Sequence, residues 1–144
     1  MTKSITTESV TVLTGMYAAE AEYLNEGGSS DAFFERLAPF FAPDVELRQA
    51  DALPYGGIWR GHKGITQFFL RMGEVWESFD MREQEFLATG ETAVVLTQVR
   101  ARARATGREL SFPLLQAITV KGGRITEVRP FYWDTQAIAD ACAM

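Results

Sequence analysis

One cysteine and one histidine in 144 residues exclude several kinds of chemistry at the outset. Cys142 has no partner for a disulfide within the chain, and its place in the final three residues makes it a poor platform for a thiol nucleophile, because chain ends are usually mobile. His62 has no second His or Cys near it, which argues against a metal site, and the turn Gly61-His62-Lys63-Gly64 points it toward water. The 14 Lys and Arg residues are outnumbered by 19 Asp and Glu, for a net charge of -5, and form no long basic patch interleaved with aromatics. Nucleic acid and an anionic membrane surface are therefore excluded as partners. No stretch approaches the roughly 20 apolar residues that span a bilayer, and MTKSITTESVTVL has no unbroken apolar segment of a secretion signal, so the expected location is the cytoplasm. A Ser/His/Asp set, a phosphate-binding glycine loop and a CxxC pair are all missing.

What is present suits one globular domain over residues 1–144, with a core over about 10–135 and short flexible tails: 47% of the residues are hydrophobic and 23% charged. Val10, Leu13, Tyr17, Ala21 and Leu24 recur at three- and four-residue steps, as an amphipathic helix requires, and NEGGSS ends that helix. Ser30 or Asp31 caps a short second helix carrying Phe33, Phe34 and Leu37. From Asp44 the period changes to two, with Val45, Leu47 and Gln49 on one face. After the loop ADALPYGG, Gly61 to Gly64 opens a third helix whose apolar repeat runs from Ile65 through Trp76 to Phe79. Strands then follow near 81–88, 92–105, 109–121 and 124–134, separated by turns at Thr89-Gly90, Thr106-Gly107 and Gly122-Gly123. Helices first and hairpin-spaced strands last predict an α+β fold, with the helices packed on one face of a curved, mainly antiparallel sheet.

Departures from this patterning mark a site. Leu110, Phe112, Leu114, Ile118 and Val120 share one face with Gln116 at its centre, and Gln49 follows Val45 and Leu47 in the same way. An amide in an apolar stripe needs hydrogen-bond partners or water, so both positions suggest a cavity wall. Arg100, Arg102 and Arg104 alternate with alanines and read as a solvated strand face, with an anion-binding ladder as the sharper alternative. Tyr55 and Trp59 flank Gly56-Gly57 in a loop that could close over a pocket mouth. Glu20 lies beside Leu13, Tyr17 and Leu24, either solvated at its tip or turned into a pocket.

The closing segment, KGGRITEVRPFYWDT, places Asp134 beside Tyr132 and Trp133 at the end of a strand. In a pocket, Asp134 would have its proton affinity raised into a catalytic range; otherwise it caps the strand in solvent or joins an ion pair. Tyr132 and Pro130 alternate with Phe131 and Trp133, so both faces are aromatic and both are expected to be covered. One would line the pocket. The other, the outer face of the sheet, would form a homodimer.

The order of elements, the FFAPDVELR strand, the WRGHKGITQFF turn and helix, and GRITEVRPFYWD together resemble the nuclear transport factor 2-like superfamily, and within it the SnoaL-like polyketide cyclases and ketosteroid isomerase-like proteins, over about Val10 to Thr135. The resemblance implies a cone in which a bent sheet wraps N-terminal helices around one deep apolar pocket. It implies a cyclase or isomerase for a hydrophobic small molecule such as a polyketide, working by general acid/base catalysis without metal or organic cofactor. A carrier that binds without turnover is the alternative. The ketosteroid isomerase base corresponds to Gln49, its oxyanion-hole acid to Gln116, and its helix-one Tyr to Glu20, with Tyr17 one turn away. An amide cannot abstract a proton, so that mechanism would need Asp51 or Glu20 instead. Arg100-Ala101-Arg102 lacks the Asp spacing of limonene-type epoxide hydrolases. SnoaL-like cyclases place an acid/base Asp late in the last strand, which makes Asp134 the leading catalytic candidate, with Glu20 and Asp51 as further carboxyls. Tyr17, Gln49, Tyr55, Trp59, Trp76, Phe112, Gln116 and Tyr132 are the substrate-contact candidates.

Overall fold

The computed structural model describes residues 2–25 and 36–143. The chain opens with α1 (Thr2–Asn25) and, after a 3-10 turn at Ala38–Phe40, runs through β1 (Phe41–Gln49), β2 (Gly57–Arg60) and α2 (Gly61–Val75). It continues through β3 (Trp76–Thr89), β4 (Thr92–Ala103), β5 (Glu109–Lys121), β6 (Arg124–Tyr132) and α3 (Thr135–Cys142). The expected second helix, with Ser30, Asp31, Phe33 and Phe34, falls outside the described residues. The α+β class holds: the helices accompany one curved, unclosed six-stranded sheet in the order β2-β1-β6-β5-β4-β3. Every neighbouring pair is antiparallel except β1 with β6, which run parallel with Leu47 opposite Val128.

The three hairpin turns form where the sequence places glycine, with left-handed φ values of 58° at Gly90, 73° at Gly107 and 58° at Gly122. Helix α1 buries Ser9, Leu13, Met16 and Tyr23, a run of three- and four-residue steps in which Glu20 takes the place between Met16 and Tyr23. Burying one such leucine contributes roughly 1.5–3 kcal/mol, and the aromatic ring of Tyr23 meets Phe69 of α2 with centroids 5.3 Å apart. The core lies between α1, α2 and the inner sheet face, where Val45, Leu47, Val95, Leu114, Ile118 and Ile125 are buried.

Three expectations are corrected. Helix α2 stops at Val75, not near Phe79: Trp76 already begins β3. Irregularities between Trp76 and Ser78 and between Met81 and Gln84 break the strand's alternation, so Trp76 and Phe79, the first two covered residues, stand three apart and continue the helical step of α2 in the sequence. The loop after β1 returns as the short strand β2, paired to β1 from Gly57 to Arg60. Beyond Thr135 the chain is no loose tail. It forms α3, whose Ile138 and Ala141 are buried and whose Ala141 carbonyl accepts a hydrogen bond from the Thr106 hydroxyl at 2.5 Å.

Candidate active site

A cavity of about 860 Å³ lies between the inner face of the sheet and helices α1 and α2. Its deep walls are apolar, including Met16, Leu47, Ile65, Phe68, Leu114 and Ile118. Six of the sequence candidates line it: Tyr17, Glu20, Gln49, Trp76, Gln116 and Tyr132. Gln49 and Gln116 thus share one space, as their positions in two apolar stripes suggest. The Tyr17 hydroxyl donates to Gln116 Oε1 at 2.5 Å, which joins α1 to the centre of β5. Gln84 belongs to the same wall, donating from Nε2 to the buried Thr97 hydroxyl at 3.3 Å. Sequence patterning misses Gln84 because the irregularity before it reverses which face it occupies.

The electrostatics centre on Glu20. Its carboxyl is desolvated, no Lys or Arg among the described residues pairs with it, and burial pushes its pKa up to about 7. Tyr17 is raised mainly by burial and further by the Glu20 charge, and Tyr23 is raised in the same way and order. Burial also raises Tyr55, to about 12, and raises Tyr132 well above the ordinary phenol value. These tyrosines remain protonated near neutrality and act as hydrogen-bond donors. Glu20 is the group among them that can exchange a proton near pH 7.

The sequence profile of the SnoaL-like domain matches residues 21–128. The chain belongs to the SnoaL-like family. No curated protein matches it in sequence. Among solved structures it resembles an NTF2-like protein from Burkholderia xenovorans LB400, with 25% identity, TM-score 0.80, and coverage of 99% of this chain and 98% of that one. It also resembles TerC co-crystallized with polyporic acid, with 19% identity, TM-score 0.77 and coverage of 94% and 98%. A putative polyketide cyclase from Xanthomonas campestris aligns at 20% identity and TM-score 0.71 over 95% and 98%. These neighbours share the fold of this chain.

In this SnoaL-like chain the remaining candidates lie elsewhere. Asp134 is outside the cavity. Strand β6 ends at Tyr132, so the alternation that would turn Asp134 inward has stopped, and the residue is the N-cap of α3, exposed and accepting from the Ala137 amide at 3.0 Å. A cap of this kind contributes about 1 kcal/mol to the helix, which gives Asp134 a structural role in place of the catalytic one expected. The signal was readable in DTQAIADAC, an Asp before a helix-spaced Ile138 and Ala141. Asp51 is exposed in the turn after β1 and lines neither cavity.

Tyr55 is 1% exposed and stands behind the wall, its hydroxyl donating to that of Tyr132 at 2.7 Å. Trp59 is equally structural, its Nε1 donating to the Tyr55 carbonyl at 3.1 Å and its ring meeting Phe68 edge-on. Neither closes over the mouth as a loop aromatic. Phe112 packs behind the cavity against Phe79 and Tyr132. His62 is turned inward rather than to water, with Nε2 3.0 Å from the Phe41 carbonyl, tying the start of α2 to β1. Among the described residues no group of three or more His, Cys, Asp or Glu is placed to hold a metal ion. Arg102 lies within 3.3 Å of Glu109 and 3.5 Å of Glu77, and Arg100 within 3.7 Å of Glu109, as a solvated face would have them, whereas Arg104 lies past the end of β4, borders the cavity and donates to the Gly73 and Trp76 carbonyls at 3.2 and 3.3 Å.

Proposed function

We propose that the protein is a cofactor-independent cyclase or isomerase for an apolar small molecule such as a polyketide, with Glu20 as the residue that carries the proton. The observation behind this reading is the placement of a carboxyl on the buried stripe of α1, facing an apolar cavity beside the Tyr17–Gln116 hydrogen bond. A carboxyl whose pKa is about 7 is half ionised at neutral pH, so it takes a proton as a base and returns it as an acid with little cost in either direction. The carboxylate removes a proton next to a substrate carbonyl. The resulting enolate carbon then either attacks a second, electrophilic carbon, which closes a ring, or is reprotonated at another position, which isomerises the compound. The cavity walls hold a flexible chain in the geometry that brings those carbons together.

The test uses 2-tetralone, an apolar bicyclic ketone with acidic hydrogens beside its carbonyl. Wild-type protein in deuterium oxide is expected to speed deuterium incorporation, and Glu20→Gln to slow it by roughly a hundredfold or more, the contribution of a positioned general base. Equal exchange in both proteins would overturn the assignment. Saturable binding with no exchange in either would favour a carrier.

We infer in addition that two copies associate through the outer face of the sheet. Leu96, Leu115 and Phe131 are in register across β4, β5 and β6, and Trp133, 81% exposed, lies beyond them. Around this apolar row stand alternating charges, with Arg48 bound to Glu46 and Glu127, and Arg129 to Glu127. Both signs in one rim suit a two-fold pairing of identical faces. Light scattering after size exclusion should give a dimer for wild type and a monomer for the Leu115→Lys, Phe131→Asp double variant; a monomeric wild type would rule the pairing out.

A further inference from the structure

The arginine ladder divides at its third member. Arg100 and Arg102 lie along β4 and pair with Glu109 and Glu77, whereas Arg104 stands at the cavity. The Arg104 amide donates to the Val75 carbonyl at 2.9 Å, its Nε to the Gly73 carbonyl and its Nη2 to the Trp76 carbonyl. These bonds fix the guanidinium against the end of α2 and the first residue of β3. Two of its five hydrogens are spent on carbonyls. Three remain, both on Nη1 and one on Nη2, enough for a two-pronged contact with a carboxylate. The exposed charged residues that line the cavity are Glu77, Asp80, Arg82 and Arg104, and they mark its mouth. Glu77 is engaged with Arg102 at 3.5 Å, and Asp80 with Arg82 at 3.7 Å. Among the described residues no Asp or Glu pairs with Arg104. One positive charge is therefore left uncompensated at the opening of a cavity whose depth is apolar. Bracing the last turn of α2, which suits a cation, would use the two carbonyl bonds alone and would not need the cavity.

We propose that Arg104 anchors a carboxylate at the mouth of the cavity, so that the substrates are apolar molecules ending in an acid group, with the apolar body inserted toward Glu20. The inference rests on the reading of the cavity as the substrate site and narrows its substrates to apolar keto acids. A monoanion suits the mouth. A single uncompensated cation meets it, and the nearby Glu77 and Asp80 would repel the second negative charge of a phosphate ester. The anchor also sets direction: a carboxylate is costly to bury in the apolar depth, and more so beside an ionised Glu20, so the chain enters with its apolar end first. The body then reaches the proton carrier in one orientation, which makes Arg104 a specificity-determining residue rather than a catalytic one.

Calorimetric titrations with 4-phenylbutanoate, 6-phenylhexanoate and 8-phenyloctanoate, each against its neutral primary amide, read the anchor directly. At about pH 6 the acids are ionised while Glu20, with its pKa of about 7, is mostly protonated, so its charge does not mask the effect. Wild-type protein should bind at least one acid roughly threefold to tenfold more tightly than its amide, the worth of an exposed charged contact. Sodium chloride at about 0.5 M should shrink that preference. Arg104→Gln should abolish the preference and leave the affinity for the amide as in wild type. Glu20→Gln should keep the preference and lose deuterium exchange of 2-tetralone, so failure of the anchor and failure of the proton carrier are separable. Equal affinity for acid and amide in wild type overturns the proposal, as does a preference that survives Arg104→Gln and disappears in Arg82→Gln. Loss of amide binding along with acid binding in Arg104→Gln overturns it too, since the residue would then only brace the end of α2. So does the absence of saturable binding by every acid up to its solubility.

Discussion

The wild-type protein is expected to lose about 2 kcal/mol of stability as pH rises from 4.5 to 7, and Glu20→Gln to abolish that loss. The sign follows from where the proton is held. Glu20 in the folded protein keeps its proton up to about pH 7, whereas in the unfolded chain it releases it near 4.5. Between those values the native state binds more protons than the unfolded state, so stability falls with rising pH and levels off above 7. The full shift would correspond to more than 2 kcal/mol, but the residue is only partly buried and water reaching it through the cavity reduces the effect. Denaturant titrations of both proteins at pH 5 and pH 8 isolate the term, since other carboxylates contribute equally to each. At pH 8 the Gln variant should be the more stable. A stability difference that does not change with pH would mean that Glu20 is solvated like a surface carboxylate.

Gln49→Met is expected to raise stability by roughly 1–2 kcal/mol and to weaken binding of 2-tetralone. Gln49 is 7% exposed, and its Oε1 is buried without a hydrogen-bond partner. An unmet buried acceptor costs about 1–3 kcal/mol, which an apolar side chain of the same length avoids. Gln49 also stands in the wall between the main cavity and a smaller one of about 300 Å³, with Tyr132 as the other shared residue. A polar group kept there against its own cost belongs to binding rather than to folding. The denaturation midpoint and a ligand titration check both halves; a destabilised Met variant would show that the amide is already satisfied by water.

The fold was largely readable from the chain, and the failures share a cause. Glycine at Gly90, Gly107 and Gly122 set the hairpins because left-handed backbone is needed there, and the two-residue period from Val45 to Gln49 marked β1. Periodicity failed at the α2 to β3 boundary because an irregular strand, with Trp76 and Phe79 three residues apart, imitates a helix. At the site, Gln49 and Gln116 could be found as amides in apolar stripes. Glu20 was visible on the helix stripe but ranked behind Asp134, whose aromatic neighbours suggested an apolar setting. Neighbours in sequence do not fix orientation once a strand ends: two residues past Tyr132 the backbone had turned to start α3. The hydrogen bonds that link Trp76, Tyr55 and Tyr132 join two strands and the turn after β1, and no local pattern encodes them.

The two edges of the sheet bear on how copies of the protein can meet. Strand β2, at one edge, spans Gly57 to Arg60 and offers little backbone for another chain to extend. Strand β3, at the other, is long, but its ladder is broken twice and it carries Glu77, Asp80, Arg82, Glu83 and Glu85. Irregular geometry and repeated charge both discourage strand addition, which is how natural sheets resist growth into fibrils. Growth along the hydrogen-bonding direction is thereby disfavoured at both edges, at one of them by the same strand whose inner side encloses the cavity.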